Sequence, residues 1–566
     1  MKNKILRAYL EALKEDEELD KIFPLLLRAM NFRIVSTPKH SKGMSQYGKD
    51  IVAIGKDDDG VIYRWYFELK GNAAKDINDK TFNIPDGVRD SILAAKDTVY
   101  EDSSIAKFNA LPIKIVFVHT GILMENTRLQ FDGFIKREFP DGGFERWDID
   151  KLVALFTQYL FNECLLADDE SARLFKKILV LIDAPGWDTK DLDTLIDLQL
   201  VRCPGDNNKR RQIAQCFASL NLLLAIIYQY AQTENNLLPA KKASDRMVLK
   251  IWAWMLRNHK DRNAYYVRSF SPIVQFHLHI YSVYMNKLLP IAMMNQGLYM
   301  FHNATAEKVC YPLRCYDFMN DLLYYLFATT IFRKTDDSSE YREQILNTIM
   351  TVIKHNPGFN MPLLDTHSIT LLLLIRYVYL QEHTPEIEQK FAEWIGRMIT
   401  NIILRKRKDD MLPELYGNRA EVVRSLYKKS PEYKDRSSLL LTTLVEIIAW
   451  INADDIYKIL ADFIIESGVN LQVAYPIEST ELEINLFEHR LNQEMSVDVN
   501  IQLPETLDEF KKQFRKKYNH IPLRTETSRF PYLLLLAHIH YETDWFPDFV
   551  NFGFLDRNCS FEDLPR

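Results

Sequence analysis

Residues 47–71 read YGKDIVAIGKDDDGVIYRWYFELKG, and the fold of the first part of the chain turns on how this stretch divides. Two runs rich in β-branched and aromatic residues, Asp50–Gly55 and Val61–Leu69, flank Asp57-Asp58-Asp59-Gly60. Asp-Gly between two such runs predicts a hairpin. Side chains alternate along a strand, so Glu68 and Lys70, two apart, share one face while Leu69 points into a core on the other. The hairpin sets Asp50 beside Glu68. Two carboxylates and one ammonium are therefore expected to converge at one strand end.

Phosphodiester hydrolysis uses such a set. Asp50 and Glu68, with the backbone carbonyl of Leu69, offer hard oxygen ligands to a divalent cation, Mg²⁺ or Mn²⁺, and leave positions open for water and phosphate. A cation held there polarises the phosphoryl oxygen and acidifies a bound water. Lys70 can orient that water or neutralise charge developing on the phosphate. Alternating charge on a strand also describes a solvated face. Against that, Glu68 and Lys70 end an aromatic run, WYFELK, where charge is costly unless used or paired.

Working outward, helix-like and strand-like segments alternate up to about residue 160. Helical patterns cover 2–15 and 20–31, and a strand is expected at Phe32–Thr37. Pro85 and Asp86 open a helix over 86–100. Ile113–His119, IKIVFVH, is a continuous apolar run suited to a central buried strand. A helix over 125–138, a strand at Phe144–Trp147 and a helix from Asp150 complete an α/β unit, a mixed sheet flanked by helices. Beyond it the periodicity is almost entirely helical, at 208–232, 245–258, 315–333, 363–381, 385–405 and 437–465, with no fixed repeat. A weaker strand-like patch lies in 469–503, including Val497–Leu503. The expected organisation is a domain over 1–160 and a large all-α region over 161–566, with room for two subdomains.

The segment 19–156 resembles the catalytic domain of Mrr-type restriction endonucleases, of the PD-(D/E)XK superfamily. Five features carry the resemblance in order. They are Leu26-Leu27-Arg28-Ala29-Met30-Asn31-Phe32, Gly48-Lys49-Asp50-Ile51, Phe67-Glu68-Leu69-Lys70, Ile115-Val116-Phe117-Val118-His119-Thr120-Gly121, and Trp147-Asp148-Ile149-Asp150-Lys151-Leu152-Val153-Ala154-Leu155. The resemblance implies a restriction-endonuclease-like fold and a Mg²⁺-dependent DNA endonuclease. It further implies a bacterial restriction or anti-phage defence effector, controlled through its helical region. Three departures stand out. The family often has a Glu on the first helix that joins the metal site, and counting back from Phe32 places Asp20 there. Asp20 also reads as a helix N-cap, since Pro24 would suit the first turn. Asn31 stands where the family has Gly, and the stretch Asn72–Asp86 is longer and more polar than the family leads one to expect.

Composition narrows the setting. A chain of 566 residues implies about two to four domains. The net charge is −6, so nucleic acid would be met by local basic surface rather than by global charge. Basic runs occur at Lys209-Arg210-Arg211, at Arg405-Lys406-Arg407-Lys408, and at Lys511-Lys512 with Arg515-Lys516-Lys517; each also reads as a solvated helix face. Phe510 and Phe514, four apart beside the last run, are expected to pack inward. The six cysteines, Cys164, Cys203, Cys216, Cys310, Cys315 and Cys559, match no zinc template and read as reduced thiols of a cytoplasmic protein. The longest apolar run, Cys216–Ala231, is interrupted by Ser219, Asn221 and Gln229 and reads as a buried helix, so no membrane anchor is expected. His277 with His279 and His538 with His540 are two apart and do not share a helix face. His119 reads as a structural histidine or as a substrate contact. No phosphate loop is present, so any NTP-driven control must come from a separate partner protein. The excess of helix points to such a partner or to a homo-oligomer. DNA is the expected substrate, with an RNase as the alternative. The competing non-enzymatic reading is a nuclease-fold docking module joined to a helical scaffold.

Overall fold

The computed structural model describes all residues except 1, 14, 38–48, 58, 72–74, 86, 103, 161–168, 183, 185–186, 206–208, 302, 332–338, 380–383, 429–435, 477–478, 490–494, 500–501, 515–521 and 544–566. Tyr47, Gly48, Asp58, Asp86, Cys164, Cys559 and Arg515-Lys516-Lys517 thus lie outside the described residues. Two compact units make up the chain: Met1–Met247 with Arg268–Ile273, and Val248–Val267 with Val274–Arg566.

The first unit opens with α1 (Lys2–Ala12), a π turn (Glu15–Leu19) and α2 (Asp20–Ala29). β1 (Arg33–Ser36), β2 (Ile51–Lys56) and β3 (Ile62–Lys70) follow, then α3 (Asp79–Asn83), α4 (Val88–Asp97) and β4 (Ile113–His119). α5 (Glu125–Glu138), β5 (Phe144–Trp147) and α6 (Ile149–Tyr159) close the α/β part. The sheet order is β1-β2-β3-β4-β5. β1, β2 and β3 are antiparallel neighbours, whereas β3, β4 and β5 run parallel, so the sheet is mixed as expected.

Local chemistry makes the β2–β3 hairpin. Asp57 Oδ1 accepts from the N–H groups of Asp59 and Val61, and Gly60 takes a left-handed φ of 83° that suits glycine. From there the two faces of the sheet diverge. Trp65, Phe67 and Leu69 point to one face, where Phe67 meets Phe23 of α2 edge-on at 5.3 Å and Trp147 of β5 at 5.5 Å. Ile22, Phe23, Leu26 and Leu27 of α2, spaced for one helix face, seal this layer. Burying each such side chain stabilises by about 1.5–3 kcal/mol. On the other face Tyr66 packs with Val52, Ala95, Phe108 and Ile115, and Phe117 with Ile77, Phe82, Ile92 and Phe131. α3 was not anticipated. Asn78 and Thr81 form a capping box at its start, inside a stretch that reads as polar loop.

After α6 come α7 (Asp169–Leu181), α8 (Lys190–Val201) and α9 (Arg210–Thr233), which belong to the same unit as the sheet. Over Gln212–Thr233, α9 is long and apolar enough to cross a membrane, but 67% of that window is buried within the protein, as in a core helix. It packs along α1 and α8.

The second unit is mostly helical. Its expected segment 437–465 is two helices, Leu439–Trp450 and Asp454–Ser467. The strand-like patch forms β7 (Asn470–Pro476) and β8 (Met495–Val499), joined by β6 (Ser437–Ser438) into a small three-stranded sheet. Every residue of Leu439–Trp450 is buried, so its first N–H groups need protein acceptors. Asp365 supplies them, accepting from Leu439 N at 2.6 Å, Leu440 N at 3.1 Å and Ser438 Oγ at 2.6 Å.

Candidate active site

The ladder positions the site. β2 and β3 pair from Lys56 and Ile62 up to Ile51 and Phe67, so the next step brings Asp50 opposite Glu68. Asp50 Oδ2 accepts a 2.7 Å hydrogen bond from the Leu69 N–H, which ties the carboxylate to the end of β3. The Phe67 carbonyl accepts from Asp50 N at 2.9 Å, so by alternation the Leu69 carbonyl also faces the β2 side, where Asp50 lies. Leu69 itself is buried on the far face. Glu68 and Lys70 share the near face, with Lys70 Nζ 3.0 Å from Glu68 Oε1. The expected convergence of Asp50, Glu68 and Lys70 is present.

A residue missed in the sequence completes it. Glu15, from the π turn, places Oε1 3.0 Å from Lys70 Nζ, so the ammonium lies between two carboxylates. Gly71 permits the approach. A Cβ at Gly71 would stand 3.1 Å from the Glu15 nitrogen and 3.3 Å from the Leu13 carbonyl oxygen. Asp20 stands in the first turn of α2. The cap position is held by Leu19 in helical conformation, with no side-chain cap bond, so the N-cap reading of Asp20 fails. The π turn runs straight into α2 and leaves no free helix end to cap. The only foreshadowing of Glu15 is the acidic run Glu15-Asp16-Glu17-Glu18, which reads equally as a solvated turn.

The electrostatics are those of acids crowded out of water. Burial, and then the charge of Glu68, push the Asp50 carboxyl up to about 8, against the opposing Leu69 N–H and Lys70. Burial raises Glu15 as well, with Lys70 opposing. Burial alone would lower the Lys70 ammonium, but Glu68 and Glu15 more than reverse this and hold it charged. Lys49, beside Asp50, is drawn down to about 8 by burial against the pull of Glu68. Its Nζ donates to Thr98 Oγ1 and lies 5.4 Å from the centre of the Tyr66 ring.

His119 sits level with Lys70 on the adjacent parallel strand. It is buried, its Nδ1 bonds the Lys75 carbonyl at 2.9 Å, and burial lowers its pKa to about 4. A neutral ring anchored this way secures the segment that follows β3. His277 is buried with Nε2 2.8 Å from the Tyr324 hydroxyl, and Phe510 is buried as expected. Lys406 pairs with Asp410 at 2.6 Å and Arg407 with Glu466 at 2.7 Å.

The donor set suits a hard cation: two carboxylates and a carbonyl at one strand end, where a divalent charge would offset the burial and the nearby Glu68 that together raise Asp50. Among the described residues no three Asp, Glu, His or Cys side chains already stand around one point as a cation cage. Glu15 and Glu68 are instead engaged by Lys70. No family model, curated protein or solved structure matches the chain.

Proposed function

We propose that the chain is a metal-dependent phosphodiesterase acting on nucleic acid, an endonuclease with DNA as its substrate. The observation that carries this reading is the placement of Asp50 opposite Glu68, with Lys70 on the same face and the Asp50 carboxyl forced up to about 8. A structural acid is ordinarily matched with donors, and one held beside a second carboxylate is poised for a cation. Asp50, Glu68 and the Leu69 carbonyl are the ligands. Mg²⁺ or Mn²⁺ bound there would supply a polarised phosphoryl oxygen and an acidified water. Lys70, kept charged by its two acids, stands beside the attacked phosphate and stabilises the charge that develops on it. Glu15 holds Lys70 through a second ion pair beside that with Glu68. Asp20, in the first turn of α2, is a further candidate ligand.

The choice of DNA, the restriction or anti-phage defence role and the PD-(D/E)XK, Mrr-type kinship rest on the motif resemblance; the site chemistry acts on phosphate and suits RNA as well. The helical region is the place for control, by self-association or by a partner protein that brings NTP hydrolysis. The competing docking-module reading draws on the Lys70 pairing, which satisfies Glu15 and Glu68 without a metal. Incubating the purified full-length protein with plasmid, linear DNA and RNA, with Mg²⁺, Mn²⁺ or chelator, separates these. Metal-dependent cleavage is the expected result. No cleavage of any substrate, with or without metal, would favour the docking module.

A further inference from the structure

The turn that carries Glu15 is held from outside the sheet. Glu15–Leu19 is a π turn, an uncommon wide helical geometry that recurs at functional positions. Within it Glu18 Oε2 accepts a 2.6 Å hydrogen bond from Nε2 of Gln215, a half-buried residue of α9. α9 also packs along α1, the helix that leads into the turn. A run of short polar contacts thus joins α9 to the candidate site: Gln215 to Glu18 at 2.6 Å, Glu15 to Lys70 at 3.0 Å and Lys70 to Glu68 at 3.0 Å. Glu15 and Glu18 are three apart in one turn of five residues, so a shift at one displaces the other.

We infer that Gln215 is a positioning residue for the acid–lysine cluster: by holding Glu18 it fixes the π turn in the form that sets Glu15 against Lys70. Its catalytic consequence rests on the phosphodiesterase reading; its structural content does not. The turn is short, its sequence is four consecutive acids before Leu19, and its hydrogen-bond geometry is one that chains seldom adopt unaided. The packing of α1 on α9 sets the helix axis, whereas the Gln215 amide addresses the turn itself. Helices beyond residue 160 would in this way act on the site without touching substrate. Any event that moves α9 would loosen Glu15 and free Lys70 from one of its two acids.

The test uses the full-length protein. Gln215→Met removes the amide and keeps the shape of the side chain. The Mg²⁺ concentration for half-maximal cleavage should rise about tenfold, the scale typical of a lost outer support to a metal site. Glu18→Gln, which still offers an oxygen to Gln215, should stay near wild type. Hydrogen exchange gives a readout free of activity. The Gly71 amide, which faces the Glu15 carboxylate, should exchange faster in Gln215→Met, while amides within β3 and β4 keep their rates. If Gln215→Met does not fold, Glu18→Ala cuts the same bond from its other end. Wild-type metal dependence and wild-type Gly71 exchange in the variant would overturn the inference and leave the phosphodiesterase reading intact. If the wild-type protein cleaves nothing, that reading fails, and Gly71 exchange alone decides the inference.

Discussion

Asp50 and Asp365 are both carboxylates withdrawn from water, one in each unit, and they keep opposite company. Asp365 is buried among three donors that all point at it, the N–H groups of Leu439 and Leu440 and the Ser438 hydroxyl. Asp50 receives the Leu69 N–H and faces Glu68. The first arrangement uses a negative charge to close the buried start of a helix. The second sets two acids side by side away from water, so that the Asp50 carboxyl keeps its proton up to about pH 8 unless a cation displaces it. Burial alone therefore does not mark a functional acid. On the phosphodiesterase reading, what marks it is a second acid kept nearby where a donor would have served the fold better.

The largest expected break in the comparison is in activity. Replacing both Asp50 and Glu68 by Ala should reduce cleavage to background while the protein keeps its circular dichroism spectrum. Lys70→Ala should lower the rate about 10²- to 10³-fold, as loss of a transition-state donor does, yet spare metal binding measured calorimetrically. A double variant that cleaves like wild type would show that the site has been misplaced.

The same pair should separate again in stability, in the opposite sense. Asp365→Ala leaves the buried end of Leu439–Trp450 without its acceptor and should cost about 2–4 kcal/mol in urea unfolding. Asp50→Asn replaces a carboxyl already neutral below about pH 8 by a neutral side chain of the same shape that can still accept from the Leu69 N–H, and should cost little. If Asp50→Asn proved the more damaging of the two, Asp50 would be a structural acid like Asp365.

How far this was legible in the sequence follows from the range of each interaction. The hairpin was, because Asp57 and Gly60 make their turn with near neighbours. So was the shared face of Glu68 and Lys70, because alternation is a property of the strand alone. The buried run Ile113–His119 announced a central strand, and its parallel pairing brings His119 level with Lys70. Glu15 was hidden because it meets Lys70 across 55 positions, and Gln215 because it meets Glu18 across 197. Counting back along a regular helix placed the first-helix acid at Asp20. Glu15 lies beyond that count, in the π turn that precedes Asp20 and runs into α2.

A smaller effect concerns pH. The folded Asp50 carboxyl titrates near 8, far above its ordinary value of 3.8. Between those values the unfolded chain has released this proton and the folded chain retains it. The stability contributed by the protonated carboxyl is therefore present at low pH and declines as pH rises through about 8. A cation competes with the same proton, so Mg²⁺ affinity should rise with pH and level off above about 8. Calorimetry in buffers of different ionisation enthalpy would register the released proton. Binding that is flat over this range would mean that Asp50 is already ionised in the free protein.

The smallest expected effect lies at Asp20, and it sharpens the comparison by asking which acid completes the set around Asp50. Glu15 touches Lys70 at 3.0 Å and acts on Asp50; Asp20 opens α2, and its cap role is excluded by the helical conformation of Leu19. Glu15→Gln keeps a polar side chain of the same length but releases Lys70 from one acid. It should raise the Mg²⁺ requirement at least as much as Gln215→Met does, within the range of about 10- to 100-fold seen when outer partners of a metal site are lost. Asp20→Asn preserves shape and removes only charge. If Glu15 is the acid of the first helical segment that supports the site, Asp20→Asn changes little and its Mg²⁺ titration should superimpose on wild type. The comparison must be made at low Mg²⁺, where a missing ligand is not masked by mass action. A loss at Asp20→Asn equal to that at Glu15→Gln would bring Asp20 into the metal shell and move the catalytic centre towards α2.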